Sequence, residues 1–119
     1  MIYLIDDDRS VRRGFELFLK SAGMPFMSFA SASDFLDSFA SDTNQKDIIV
    51  LDLNLPGKSG SELLQKLAID GTKIPVIVVT AFDDSQSREI CRKYGVKAYM
   101  RKPVDGEALI DIIKYNQTA

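Results

Sequence analysis

Met1-Ile-Tyr-Leu-Ile5-Asp6-Asp7-Asp8 opens the chain, and Ile48-Ile-Val-Leu51-Asp52, near its middle, ends the same way: an apolar run of strand length that stops on acid. One buried strand ending on a carboxylate is ordinary. Two such strands lying side by side in a parallel sheet bring their carboxyl ends to the same edge. Several carboxylates then share one crevice, where mutual repulsion raises their pKa values or calls for a cation. A hard divalent ion with oxygen ligands relieves that repulsion, and Mg²⁺ is the ion expected in a cell.

Outward from these two runs, further apolar stretches of strand length lie at residues 25–29, 76–79 and 98–100. Segments with helical period separate them. Val11, Phe15, Phe18, Leu19 and Ala22 fall on one helical stripe, with Gly23 placed to stop it. Phe35, Leu36 and Phe39 mark a short second helix. Ser59 and Glu62 fit a capping box ahead of Leu63, Leu64 and Leu67. Ile90, Cys91 and Tyr94 mark a fourth helix that Gly95 ends, and Asp105 caps a fifth carrying Leu109, Ile112 and Ile113. Continuous apolar strands alternating with amphipathic helices predict a parallel sheet covered on both faces. Right-handed crossovers make it an α/β, doubly wound, five-stranded parallel sheet with five helices, in the flavodoxin-like order 2-1-3-4-5. Its switch point lies between strands 1 and 3, where both acidic ends are. One domain is expected over residues 1–119.

Composition narrows the chemistry. At 119 residues, 45% apolar and 27% charged, the chain is long enough for a real core and too apolar for disorder. A net charge of −2 without a basic run makes this domain alone a poor binder of nucleic acid or anionic membrane. No stretch approaches the roughly 18 apolar residues of a membrane span. One cysteine, Cys91, fits a reducing cytoplasm and a buried helix face. With no histidine, neither a Ser-His-Asp nor a Cys-His arrangement is possible, and no histidine holds zinc. Carboxylate, hydroxyl, amine and metal chemistry remain.

The other strand ends supply the hydroxyl and the amine. Strand 4 stops on Thr80-Ala81, and strand 5 on Lys102-Pro103. Strands 1, 3, 4 and 5 thus deliver acid, acid, hydroxyl and amine to one rim.

With its acid cluster, Asp52 followed by Pro56-Gly57 and Gly60, Thr80-Ala81, Tyr99 and Lys102-Pro103, the chain resembles the receiver domain of bacterial two-component response regulators over essentially its whole length. The resemblance implies that Asp52 accepts a phosphoryl group, with Lys102 pairing first with Asp52 and then, alongside Thr80, binding the phosphoryl oxygens. It implies Mg²⁺ held by Asp7, Asp52 and the Asn54 backbone carbonyl, with Asp6 acting mainly through a water. Asp8 is expected to face solvent or cap the first helix. Thr80 and Tyr99 are the implied switch, acting on the face formed by the fourth helix, fifth strand and fifth helix. Asn54, Ala81 and Phe82 would tune the lifetime of the acyl phosphate. The implied donor is a sensor histidine kinase or phosphotransfer protein, a homodimer through the switched face is a further possibility, and transcription is the expected output. Such a domain is no general enzyme, since it catalyses only its own phosphorylation and dephosphorylation.

Two other readings compete. A receiver used purely as a stand-alone or phosphorylation-independent docking module would not need every chemical position filled, as it is here. A haloacid-dehalogenase-like phosphatase shares the aspartate, Mg²⁺, hydroxyl and lysine. It requires a second acid two positions after its nucleophile, where this chain has Asn54.

Overall fold

The computed structural model describes residues 1–39, 46–54, 60–81 and 83–118. Elements alternate in chain order: β1 (Ile2–Ile5), α1 (Arg9–Ser21), β2 (Phe26–Phe29), α2 (Ala32–Ser38), β3 (Ile48–Asp52), α3 (Gly60–Ile69), β4 (Val76–Thr80), α4 (Ser85–Lys93), β5 (Ala98–Arg101) and α5 (Gly106–Thr118). The strands are all parallel and lie in the order β2-β1-β3-β4-β5, as the sequence predicts. The expected capping Ser59, together with Pro56, Gly57 and Phe82, lies outside the described residues.

Alternation along the central strand sorts side chains to the two faces. Ile48 and Val50 join Phe15, Leu19, Leu109 and Ile113 under α1 and α5. Ile49 and Leu51 join Phe35, Leu63, Leu67 and Cys91 under α2, α3 and α4. Both faces of β3 and β4 are therefore buried, which is why these strands read as unbroken apolar runs. β2 and β5 lie at the edges and are only partly covered, matching their weaker sequence signal.

The helix ends follow local chemistry. Asp8 caps α1 by accepting from the Ser10 and Val11 amides at 2.9 and 3.1 Å. Gly23 and Gly95 adopt positive φ of 70° and 67° after α1 and α4. Beyond each, the next amide bonds back into the last turn, Met24 to Leu19 and Val96 to Cys91, both at 3.0 Å. The apolar stripe of α1 is narrower than its spacing predicts. Phe15 and Leu19 are buried, but Ala22 is exposed and Phe18 remains 45% exposed, its ring lying over the bare Cα of Gly106 at the rim of α5.

Strand register builds the functional edge. Ile5 stands opposite Leu51, so the chains leave β1 and β3 on acid side by side. Asp52 pairs with Val79, and Thr80 with Arg101, one residue before Lys102. Lys102 then donates its own amide to the Thr80 carbonyl at 2.8 Å, just before a cis Lys102–Pro103 peptide.

Candidate functional site

Three successive aspartates leave β1 in three directions. Asp6 is fully buried, Asp7 is exposed, and Asp8 is spent on the α1 cap. Asp6 is fixed at both oxygens: Oδ1 accepts from the Asp8 amide at 2.9 Å, and Oδ2 from Lys102 Nζ at 2.8 Å. Asp52 is held alike. Its Oδ1 accepts from the Asn54 amide and its Oδ2 from Lys102 Nζ, each at 3.0 Å. The ammonium of Lys102 therefore bridges two buried carboxylates whose strands neighbour each other. The sequence points to Asp52 as its partner, and the bond to Asp6 is additional.

Asp6, Asp7 and Asp52 each offer a carboxylate oxygen within 4.8 Å of the others. Three carboxylates facing one ammonium carry a formal charge of −2. Burial pushes the Asp52 carboxyl above the usual carboxylate range; the Asn54 amide and Lys102 pull it back, and Asp6 adds to the rise. Burial alone would lower the Lys102 ammonium, but Asp6 and Asp52 outweigh it and hold that ammonium above the ordinary lysine value. The two directions agree: burial outweighs the share of one ammonium that reaches Asp52, while that ammonium is served by two carboxylates.

A stability prediction follows from the Asp52 shift. A carboxyl whose pKa is raised by folding binds its proton more tightly in the folded state, so stability falls as pH rises through that window. Asp52→Asn removes the penalty. Urea melts should show the variant gaining on the parent from about pH 4 upward, with the gap constant once Asp52 is fully ionised. A variant less stable than the parent at pH 7 would contradict this electrostatic account.

Thr80 is fully buried at the end of β4, and its Oγ1 accepts from the Asn54 side-chain amide at 3.0 Å. Ala81 beside it is exposed. Tyr99, half-buried on β5, lies beneath the Arg88 guanidinium, 5.1 Å from the ring centroid. Arg88 grips Asp83 through two hydrogen bonds, Nε to Oδ1 at 2.6 Å and Nη2 to Oδ2 at 2.8 Å. That contact holds the Asp83 carboxyl below its ordinary range, with a smaller contribution from the Tyr99 hydroxyl. Neither the Asn54–Thr80 bond nor the Asp83–Arg88–Tyr99 group is legible in the sequence. Asp47, the acid preceding β3, is buried against the Met1 ammonium at 3.2 Å and takes no part in the cluster.

The profile of the response regulator receiver domain family matches residues 2–114. The chain belongs to that family. As a receiver domain it is similar to the transcriptional regulatory protein TdiR of Thauera aromatica, 33% identical over 94% of this chain and 48% of that protein. It is also 34% identical to the transcriptional regulatory protein FixJ of Azorhizobium caulinodans, over 95% of this chain and 53% of that one. This receiver thus spans about half the length of those relatives. Among solved structures, FixJ-N superposes with a TM-score of 0.86 at 30% identity, covering 98% of this chain and 92% of that one. Among the described residues no helix is long and apolar enough to cross a membrane.

Proposed function

We propose that residues 1–119 act as one receiver domain in which Asp52 takes a phosphoryl group from a phosphohistidine on a sensor kinase or phosphotransfer protein. The observation that carries this reading is the Lys102 ammonium held between Asp6 and Asp52 at the carboxyl edge of the sheet. A carboxylate oxygen of Asp52 attacks phosphorus and forms the new O–P bond. The P–N bond of the donor breaks, and its electron pair returns to the imidazole nitrogen. Lys102 exchanges its bond to Asp52 for one to the phosphoryl oxygens, and Thr80 donates its hydroxyl to another. Alignment and charge neutralisation are most of what such a transfer requires.

The donor set fits Mg²⁺. It consists of hard carboxylate oxygens, converges within 4.8 Å, and includes one exposed member, Asp7, that keeps it open to solvent. Asp7, Asp52 and the Asn54 carbonyl would hold the ion, with Asp6 behind them. When bound, it neutralises charge on the phosphoryl group in transfer. Asp7→Asn should therefore weaken Mg²⁺ binding more than Asp6→Asn. Asp8→Asn should leave it nearly unchanged, since asparagine caps α1 about as well as aspartate. Thermal shift with increasing Mg²⁺ reads all three. Greatest sensitivity at Asp8 would refute this ligand set.

The output face is α4, β5 and α5, reached from Thr80 through Tyr99. Charges of both signs are exposed on it. Arg92 on α4, Lys97 between α4 and β5, and Arg101 at the end of β5 make one part mainly basic beside Glu89; Glu107 and Asp111 on α5 make the other mainly acidic beside Lys114. In a homodimer through this face, a two-fold axis would let the basic residues of one copy meet the acidic residues of the other. By likeness to TdiR and FixJ, the regulated process is transcription, and the setting is the cytoplasm. Lifetime tuning falls to Asn54, Ala81 and Phe82. The domain's only catalysis is on its own acyl phosphate. A phosphatase of the haloacid type is disfavoured because the Asn54 amide, engaged with Thr80, is no general acid. Loading with beryllofluoride and Mg²⁺ should shift backbone NMR signals across α4, β5 and α5. Shifts confined to the surroundings of Asp52 would refute the switch.

A further inference from the structure

Asn54 touches both halves of this machinery. Its backbone amide donates to Asp52 Oδ1 at 3.0 Å, and its side-chain amide donates to Thr80 Oγ1 at 3.0 Å, across 26 residues of sequence. The first contact needs only a backbone N–H, which every residue but proline supplies. The second needs this side chain.

We infer that Asn54 is a positioning residue that holds the Thr80 hydroxyl in its resting place, so that a phosphoryl group on Asp52 must draw Thr80 away from Asn54 before the output face responds. The inference rests on the reading of Asp52 as phosphoacceptor and Thr80 as switch, and adds to it the contact that opposes the switch. A hydrogen bond of 3.0 Å has little slack, and a further half an ångström or so takes it beyond bonding distance. Any displacement of Thr80 large enough to remodel a neighbouring face breaks it. Thr80 is fully buried, so breaking the bond from Asn54 is not readily offset by water. The phosphoryl group does not replace that donor; it gives the Thr80 O–H an acceptor of its own. A hydroxyl donating to an anionic oxygen forms a charge-assisted bond about twice as strong as a neutral one, which offsets the amide lost from Oγ1. The Asn54–Thr80 bond thus weights the unphosphorylated domain towards rest, and the incoming anion overcomes it.

This role differs from tuning the approach of water to the acyl phosphate, and the two separate by direction. A residue that merely shapes the pocket gives a damaged switch when removed. A residue that restrains the resting state gives an easier one. The net worth of one hydrogen bond corresponds to about two- to tenfold in an equilibrium.

The test is a double-mutant cycle on the whole chain with Asn54→Ala, Thr80→Val and the pair, titrated with beryllofluoride at fixed Mg²⁺. NMR signals next to Asp52 report loading, and the Tyr99 amide reports switching. Asn54 is exposed, so its truncation leaves the core intact. Asn54→Ala should raise the switched fraction at a given degree of loading by about two- to tenfold. In the Thr80→Val background the same change should do nothing. A switched fraction that falls or stays level in Asn54→Ala, or an equal gain with and without the Thr80 hydroxyl, overturns this inference alone. Normal switching in Thr80→Val overturns it together with the switch reading, and failure of the parent protein to load overturns the phosphoacceptor reading beneath both.

Discussion

Asp52→Asn should lower the rate of phosphorylation by acetyl phosphate and Mg²⁺ by about a thousandfold or more, equivalent to about 4 kcal/mol in barrier height. The amide is no nucleophile, and no other carboxylate in the site can take over. Asp6 has both oxygens engaged and no exposed surface. Asp7 is exposed, and the Lys102 ammonium is bonded to Asp6 and Asp52. Asp47 is bound to the chain's amino group at the other end of β3. The variant should nevertheless be folded, and more stable than the parent at neutral pH. Loss of labelling in a folded protein therefore isolates the chemistry. Labelling within tenfold of the parent would place the acceptor elsewhere.

The second large effect is structural and reaches the site through the backbone. A side chain at Gly60 would put its Cβ 2.6 Å from Leu53 Cα and 2.7 Å from the Asp52 carbonyl oxygen. These are main-chain atoms of the segment carrying the proposed nucleophile, and Gly60 bonds back to the Leu53 carbonyl at 3.0 Å. They have nowhere to move. Gly60→Val should cost about 3 kcal/mol or more, a large share of the stability of a small domain. Gly106 is the instructive contrast. Its added Cβ would come within 2.2 Å of Phe18, but that contact is with the ring of a partly exposed side chain. Gly106→Ala should cost about 1 kcal/mol or less as the ring swings outward. Urea denaturation of the two variants reads both values, and equal losses would show that backbone contact at Gly60 is not what matters.

The architecture was legible because burial on both faces writes itself into sequence. The runs Ile48-Ile-Val-Leu51 and Val76-Ile-Val-Val79 became the central strands β3 and β4. Their carboxyl ends could be read as one rim because parallel connectivity leaves no other arrangement. Side-chain direction was less legible. The acid run after β1 has no internal sign that the first member turns inward, the second outward and the third onto a helix. Backbone geometry at the strand end decides that. The α1 stripe overstated its core, since helical spacing gives direction and not depth, and Phe18 lies at the rim. The Asn54–Thr80 bond and the Arg88 grip on Asp83 above Tyr99 join loop to strand and loop to helix. No periodicity encodes such meetings, which depend on how loops close after the sheet has formed.

Together with the expected Lys102–Asp52 pair, these contacts give the site a resting state with its own partners. Lys102 is satisfied by two carboxylates, Thr80 by Asn54, and Arg88 spans Asp83 and the face of Tyr99. A phosphoryl group can shift such a state only by binding the alternative more strongly, and on the proposed reading its charge would supply that difference at Lys102 and Thr80.

The central claim is that Asp52 alone receives the phosphoryl group in a Mg²⁺-dependent reaction. Its most direct test is to incubate the parent chain with acetyl phosphate, with and without Mg²⁺, trap the acyl phosphate by borohydride reduction and map the modified peptide. The account predicts one base-labile label, present only with Mg²⁺ and confined to Asp52. An acid-stable label, a label at Asp6, Asp7 or any other residue, or undiminished labelling without Mg²⁺ would contradict it.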